Sequence, residues 1–404
     1  MSVSGGATTS PRSPESLANP DRPGQRPGYL RRHARRTSRT TRAGEPIESP
    51  SPRLLVYGAT GYTGKLVAAE AAARGIEVVL GGRDAQKLEA VAGPLGFETR
   101  SVALHEGPRL QAALEDVAAV LHIAGPFSAT AAPMVDACLA TGTHYLDVTG
   151  EIDVFEALAR RGDEAAEAGV ALVPGVGFDV VPTDCLAAHT ASRVDDPQRI
   201  FLAIAGLGSG VSRGTAKTSV EFVGRGLAIR RDGVIAYRPM GSLARDFDFG
   251  AGPVRAIGMP LGDVATAFHS TGAPDVETYV VASGSLPRAL RLSRLAAPLL
   301  RRKNVQSFLK RRIDASAPEG PTDEERSGRR ALILAEVEGA EGQRARGLLE
   351  TPSPYALTAI AALEALQRIA RGVAAPGYHT PATALGADFV TELDGCIRRE
   401  LPVD

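Results

Sequence analysis

The stretch Leu54-Leu55-Val56-Tyr57-Gly58-Ala59-Thr60-Gly61-Tyr62-Thr63-Gly64-Lys65-Leu66-Val67 constrains the fold more than any other part of the chain. Strand-type apolar residues run into three glycines at every third position, and an alanine-rich helical pattern follows directly. That order of strand, tight turn and helix is the arrangement a dinucleotide phosphate requires. Gly58 permits the turn, Gly61 lets the backbone approach pyrophosphate, and Gly64 lets helix and strand pack closely. The first N–H groups of the helix then face the phosphates at the positive end of its dipole. Thr60, Tyr62 and Thr63 stand in the same turn, where the threonine hydroxyls add donors.

From Leu54 onward, short apolar runs alternate with Ala/Leu/Glu/Arg helical stretches, which predicts an α/β fold of Rossmann type with a doubly wound parallel sheet. Strands are expected at Leu54 to Tyr57, Val78 to Leu80, Thr99 to Leu104, Ala119 to Ala124, Tyr145 to Val148 and Val170 to Val173. Helices are expected at Gly64 to Arg74, from Asp84 to Val91, and at Leu110 to Leu114, Met134 to Ala140 and Ile152 to Ala168. After Pro174 the rhythm changes. Arg199 to Ala205, Val234 to Arg238, Val276 to Val281 and Leu332 to Val337 read as strands, with helices at Thr215 to Arg225 and Leu261 to Ser270, which predicts a second, α+β domain on a mostly antiparallel sheet. The expected organisation is a disordered basic leader at 1–52, a dinucleotide-binding domain at 53–175, and a substrate and dimerisation domain at 176–350. A C-terminal part at 351–404 follows, whose helix Pro354 to Arg371 packs back on the first domain.

Charge sharpens this division. The chain of 404 residues has no net charge, yet the leader to Arg53 carries ten arginines against four acids, leaving the remainder at −6. Bulk nucleic-acid binding by the folded part is therefore disfavoured. Leu286 to Arg312 is a basic stretch without an acid and with leucines at helical spacing, an amphipathic helix or helix pair. Three scattered cysteines do not make a disulfide framework and fit a reducing, cytoplasmic setting. No run of about 18 apolar residues would span a membrane, and the leader lacks the apolar centre of a secretory signal.

Cofactor choice is read at the end of the second strand, where an acid would bind the ribose 2′-hydroxyl of NAD. The sequence there is Leu80-Gly81-Gly82-Arg83-Asp84. A guanidinium in that place suits a 2′-phosphate, so NADP(H) is the expected cofactor. Asp84 reads as a helix cap and Lys87 as a solvated helix lysine. Ala124-Gly125-Pro126-Phe127 lies at the carboxyl end of the fourth strand, where doubly wound sheets place their ligands. Asp147, Thr149, Gly150 and Glu151 follow the fifth strand, and Gly175-Val176-Gly177-Phe178-Asp179 follows the sixth. Gly177 and Phe178 are expected at the cofactor, with the Phe178 ring packing on it, while Asp179 and Asp184 bracket Val180 to Thr183 and either reads as a cap of the helix after Pro182. No tyrosine is followed four residues later by a lysine, so the acid pair of short-chain dehydrogenases is missing. Cys185 and Cys138 read as buried small hydrophobes. The seven histidines show no metal-ligand spacing, and no metal is expected.

GATGYTGKLV, then residues 125–151, GVGFDVVPTD at 175–184, Ser212-Arg213-Gly214-Thr215, residues 272–277, and 376–381 with 386–389 together carry a family resemblance. The chain from Leu54 onward resembles the saccharopine dehydrogenase-like reductases, and within them the branch containing the trans-acting enoyl reductases. The resemblance implies an NADP-dependent reductase of the activated double bond of an enoyl thioester, carried by acyl carrier protein or coenzyme A. Tyr62, Thr149, Asp179, Ser212 and Thr215 are then candidate donors. Residues 286–312 become either a dock for an acidic acyl carrier protein or a solvated or membrane-surface helix. Two other readings stay open: saccharopine-type C=N chemistry, with Arg213, Lys217 and Arg225 holding carboxylates, and a regulator that binds NADP without turnover.

Overall fold

The computed structural model describes residues 51–207, 212–281, 299, 302–326 and 328–403. Residues 51–404 form one compact unit. The expected leader falls almost wholly outside the described residues, as does most of the basic stretch before Arg302.

The first sheet holds β1 (Leu54–Tyr57), β2 (Val79–Gly82), β3 (Thr99–Ser101), β4 (Ala119–His122), β5 (His144–Asp147) and β6 (Ala171–Val173). All pair in parallel, in the order β6-β5-β4-β1-β2-β3, so the direction of winding reverses between β1 and β4. Strands β1, β2, β4 and β6 are buried throughout, as a sheet covered by helices on both faces requires. Each fully buried Val or Leu contributes roughly 1.5–3 kcal/mol.

Two helices of this half differ from expectation. The helix anticipated from Met134 begins at Phe127 and runs to Thr141, because the Glu151 carboxylate accepts from the N–H groups of Phe127 (2.9 Å) and Ser128 (2.7 Å) and so caps an earlier start. The helix anticipated from Ile152 to Ala168 is two helices, Ile152–Ala159 and Gly162–Glu167. They break at Arg160-Arg161, where the Arg161 guanidinium binds Asp136 and Glu164.

The second sheet is built from β7 (Pro197–Ala205), β8 (Leu227–Arg231), β9 (Val234–Arg238), β10 (Ala244–Asp248), β11 (Pro253–Gly258), β12 (Asp275–Val281), β13 (Arg330–Gly339) and β14 (Arg344–Pro352). Two strands from the C-terminal part complete the sheets: β15 (Gly377–Tyr378) lies parallel beside β6 in the first, and β16 (Ile397–Leu401) lies antiparallel beside β14 in the second. The second sheet runs β10-β11-β12-β7-β13-β14-β16, antiparallel except for β12 with β7, and β8 pairs with β9 and touches β12. The last part of the chain is therefore shared by both sheets. Its helix Pro354–Ala370 packs on the helix Tyr62–Ala73 and on β4.

One core joins the two halves. Val56, Leu80 and Leu121 of the first sheet, Val181 and Leu186 of the helix Val181–Ala191, Ile200 and Ile333 of the second sheet, and Leu363 and Leu366 of the C-terminal helix belong to one buried cluster. Among the described residues no helix is long and apolar enough to cross a membrane.

Candidate functional site

The turn after β1 needs its glycines for two separate reasons. Gly58 has φ +96°, and a Cβ there would meet the Ala124 nitrogen at 2.8 Å, so the turn can lie against the end of β4 only without a side chain. A Cβ on Gly64 would come within 2.4 Å of the Gly58 carbonyl oxygen, which fixes how closely the helix Tyr62–Ala73 approaches the turn. Gly61 caps that helix and is exposed. Beyond it, the N–H groups of Tyr62, Thr63 and Gly64 have no carbonyl one turn back in the helix. The cradle therefore suits a pyrophosphate: open at Gly61, lined by unpaired donors, and at the positive end of a 12-residue helix.

Arg83 follows β2 directly, is exposed, and makes no hydrogen bond or ion pair with the described residues, so its guanidinium is free for a 2′-phosphate. Asp84 caps the next helix, its Oδ1 accepting from the Lys87 N–H at 3.1 Å, and the Lys87 ammonium sits 3.2 Å from the same carboxylate.

At the ends of β4 and β5 the chain folds around two carboxylates. Glu151 caps the helix that Ala124-Gly125-Pro126-Phe127 leads into. Asp147 is fully buried and accepts from the N–H groups of Thr149 and Gly175, each at 2.9 Å, and from the Tyr145 hydroxyl at 2.7 Å. It ties β5 to β6. Burial nonetheless pushes its carboxyl up to about 6. Thr149 is fully buried and its Oγ1 accepts from the Glu151 N–H at 3.0 Å, so this candidate donor braces a turn and does not face a substrate.

The expectation for Phe178 is corrected. Its ring is only 3% exposed and belongs to the shared core, while its N–H donates to Thr358 Oγ1 at 3.0 Å. Neighbouring Gly177 is buried beside Thr358 and Val148. Asp179 does face solvent, with its Oδ2 against Gly150, and the surrounding protein walls raise its carboxyl to about 6. Asp184 is not a cap. It lies inside the helix Val181–Ala191 and accepts from the Ser270 hydroxyl and from the Ala382 N–H at 2.8 Å.

A solvent-open hollow lies between the halves, lined among others by Ser128, Glu151, Ile152, Arg225, Tyr237 and Pro260. Nearer the glycine turn, three of the candidate donors converge on a residue that sequence reasoning missed. Tyr355 Oη accepts from the Ser212 N–H at 2.5 Å and lies 3.4 Å from Thr215 Oγ1, which is 3.0 Å from Ser212 Oγ. The Tyr62 ring meets the Tyr355 ring edge-on with centroids 5.1 Å apart. Tyr355 lies at the N-terminal end of a helix that reads as a packing element, so only the fold reveals it.

The cations considered for carboxylate binding are engaged elsewhere. Arg213 donates to the Ala317 carbonyl (2.8 and 3.1 Å), Lys217 pairs with Asp314 at 2.5 Å, and Arg225 pairs with Asp153. Cys138 and Cys185 are fully buried, and burial pushes both thiols upward, which leaves them inert.

Comparison with known proteins places this geometry. Residues 54–173 match the family model of the saccharopine dehydrogenase NADP binding domain. The chain is 33% identical over 154 residues to a trans-acting enoyl reductase of Mycobacterium ulcerans, covering 35% of each protein. It is 33% identical over 150 residues to the trans-acting enoyl reductase of Mycobacterium leprae, covering 34% of this chain and 35% of that one. These matches span about a third of the relatives' length. Apo saccharopine dehydrogenase (L-Glu forming) from Saccharomyces cerevisiae shares the fold, with a TM-score of 0.59 at 13% identity, covering 87% of this chain and 100% of that one. The glycine turn, the exposed Arg83 and the parallel sheet agree with this match of residues 54–173 to the saccharopine dehydrogenase NADP binding domain.

Proposed function

We propose that the protein is an NADP-dependent oxidoreductase that reduces the activated C=C bond of an enoyl thioester. The observation that carries this reading is the donor set beside the glycine turn: hydroxyls of Ser212, Thr215 and Tyr355 stand together, while Arg213, Lys217 and Arg225 are already bound to other groups. A thioester carbonyl is neutral and needs hydrogen-bond donors where negative charge develops on its oxygen. An imine formed from an amino acid and an oxo acid carries several carboxylates and needs free cations. The naming of the mycobacterial relatives as trans-acting enoyl reductases supports the same choice.

When bound, NADPH supplies the hydride. The chain orients it through the Gly58–Gly64 turn and Arg83. Because Tyr355 Oη accepts from the Ser212 N–H, its own proton is left to donate outward, either to Thr215 Oγ1 or to a substrate oxygen or carbon. Asp179, exposed beside Gly150, is a second candidate proton source in this reading.

The exposed basic helix Lys303–Ser316, with Phe308 55% exposed, is in this reading the described end of a docking surface for an acidic acyl carrier protein, where complementary charge raises the encounter rate. A cytoplasmic setting agrees with three cysteines that are all unpaired. The test is NADPH oxidation by the full chain with 2-enoyl thioesters of coenzyme A or acyl carrier protein, against mixtures of amino acids and 2-oxo acids. Turnover with the thioesters alone is the expected result. Turnover with the second set alone would overturn the reading in favour of C=N chemistry, and NADPH binding without turnover of either would favour a regulator.

A further inference from the structure

A second, solvent-open hollow lies between Pro321, Glu325, Arg326, Arg329 and the start of the helix Pro354–Ala370, with Ser353 and Tyr355 in its lining. Three features of it remain unexplained by the fold. The 17-residue helix has no side-chain cap, although a serine occupies its N-cap position. Ser353 is only 4% exposed, and its Oγ is buried without a hydrogen-bond partner among the described residues, which is costly for a hydroxyl. Pro354 carries no N–H, so the first-turn donors of this helix are those of Tyr355 and Ala356, which have no carbonyl one turn back.

Charge on the facing wall has the matching sign. Arg329 is exposed and makes no hydrogen bond or ion pair with the described residues. Arg326 lies beside it, held by Tyr62, the Pro321 carbonyl and Asp323. The Glu325 carboxylate, also in the lining, accepts from the Thr322 N–H at 2.8 Å and caps its own short helix. A free guanidinium, an unpartnered buried hydroxyl and an uncapped helix N-terminus around one hollow are the elements of a phosphate site.

We propose that this hollow binds a phosphate ester distinct from the pyrophosphate held at the Gly58–Gly64 turn, and that the ester is the 4′-phosphate of a phosphopantetheine arm. Tyr62, on the glycine-turn helix, and Tyr355, in the lining of the hollow, meet edge-on with ring centroids 5.1 Å apart. This deepens the thioester reading, since such an arm carries the substrate of either a carrier protein or coenzyme A. The hollow's chemistry does not depend on which bond is reduced.

The experiment is calorimetric titration of the full chain, saturated with NADP+, with 4′-phosphopantetheine and with pantetheine, and separately with inorganic phosphate. The chain without added cofactor is titrated with NADPH. The wild type should prefer the phosphorylated arm by about tenfold or more. Arg329→Ala and Ser353→Ala should abolish that preference and leave NADPH binding unchanged. Ser353→Ala removes no bond present in the structure and so reports on a folded chain. A loss confined to NADPH would overturn the assignment to the substrate arm and give the same phosphate site to the cofactor. Equal affinities for both arms in the wild type, with inorganic phosphate unaffected by either variant, would overturn the site itself. No turnover is read, so a chain that reduces a different bond gives the same binding result.

Discussion

Arg326 donates through Nη1 to the Tyr62 hydroxyl at 2.6 Å, and that hydroxyl donates to the Pro321 carbonyl at 2.5 Å. A segment more than 250 residues downstream is thereby fastened over the first turn of the helix that opens the cofactor site. Lys65 with Glu319 at 2.8 Å, and Arg213 with the Ala317 carbonyl, add to the fastening. Burial and the Arg326 contact act oppositely on the phenol, and burial prevails, so Tyr62 stays a neutral donor. Tyr62→Phe should therefore loosen residues 317–326 by about 1–2 kcal/mol. The readout is limited proteolysis within this segment, expected to speed up several-fold while the rest of the chain resists; an unchanged cleavage rate would show that the strap is held by other contacts.

Arg83 should set the preference between the two nicotinamide cofactors. With its guanidinium free at the end of β2, Arg83→Ala should weaken NADPH by on the order of 1–3 kcal/mol, the worth of a charge-assisted contact, and leave NADH nearly unchanged. Dissociation constants for both cofactors decide it, and an equal loss for both would refute the assignment.

Gly64→Ala tests the approach of helix to turn. The added Cβ would lie 2.4 Å from the Gly58 carbonyl oxygen and 2.7 Å from Ala59 Cα, both backbone atoms that no rotamer change can clear. The helix must move away from the turn, so NADPH affinity should fall at least tenfold, with a stability loss of about 1–3 kcal/mol from overpacking. Wild-type affinity in this variant would mean that the turn tolerates the displacement.

His122 predicts an acid limb in the stability profile. It is fully buried at the end of β4 beside Tyr57, Phe127 and Tyr145, neither ring nitrogen has a hydrogen-bond partner among the described residues, and burial lowers its pKa to about 3. The unfolded chain protonates this ring near pH 6.5, whereas the folded chain does so only near 3. Between those values the unfolded state binds more protons, so stability falls as pH falls, by on the order of 4 kcal/mol by pH 3. His122→Leu should flatten that part of the profile in urea denaturation measured from pH 7 to 3.5. An unaltered slope would assign the acid sensitivity to the carboxylates.

Much of the first sheet is legible in the chain because its signals are local. A four-residue apolar run, a glycine every third residue and a helix after it dictate β1 and its turn whatever surrounds them, and Arg83 follows from its distance to that turn. The shorter signals fail where a distant residue decides. Glu151 moves a helix start back to Phe127, and Arg161 with its partners divides another. Strands β8, β10, β11, β14, β15 and β16 escaped notice because they are short, or polar on one face, and gain their hydrogen bonds only from neighbours far along the chain.

The amino-acid order alone therefore settled the class of fold and the dinucleotide turn, since both follow from φ freedom, periodicity and helix-end chemistry within a few residues. The rest of the site was decided by tertiary structure. Ser212, Thr215 and Tyr355 are up to 143 residues apart, and Tyr62 and Arg326 are 264 apart, so no spacing rule links them. Packing of the helix Pro354–Ala370 onto the helix Tyr62–Ala73 within a shared core brings Tyr355 to Tyr62, and the same packing places Ser353 and its helix end in the lining of a hollow.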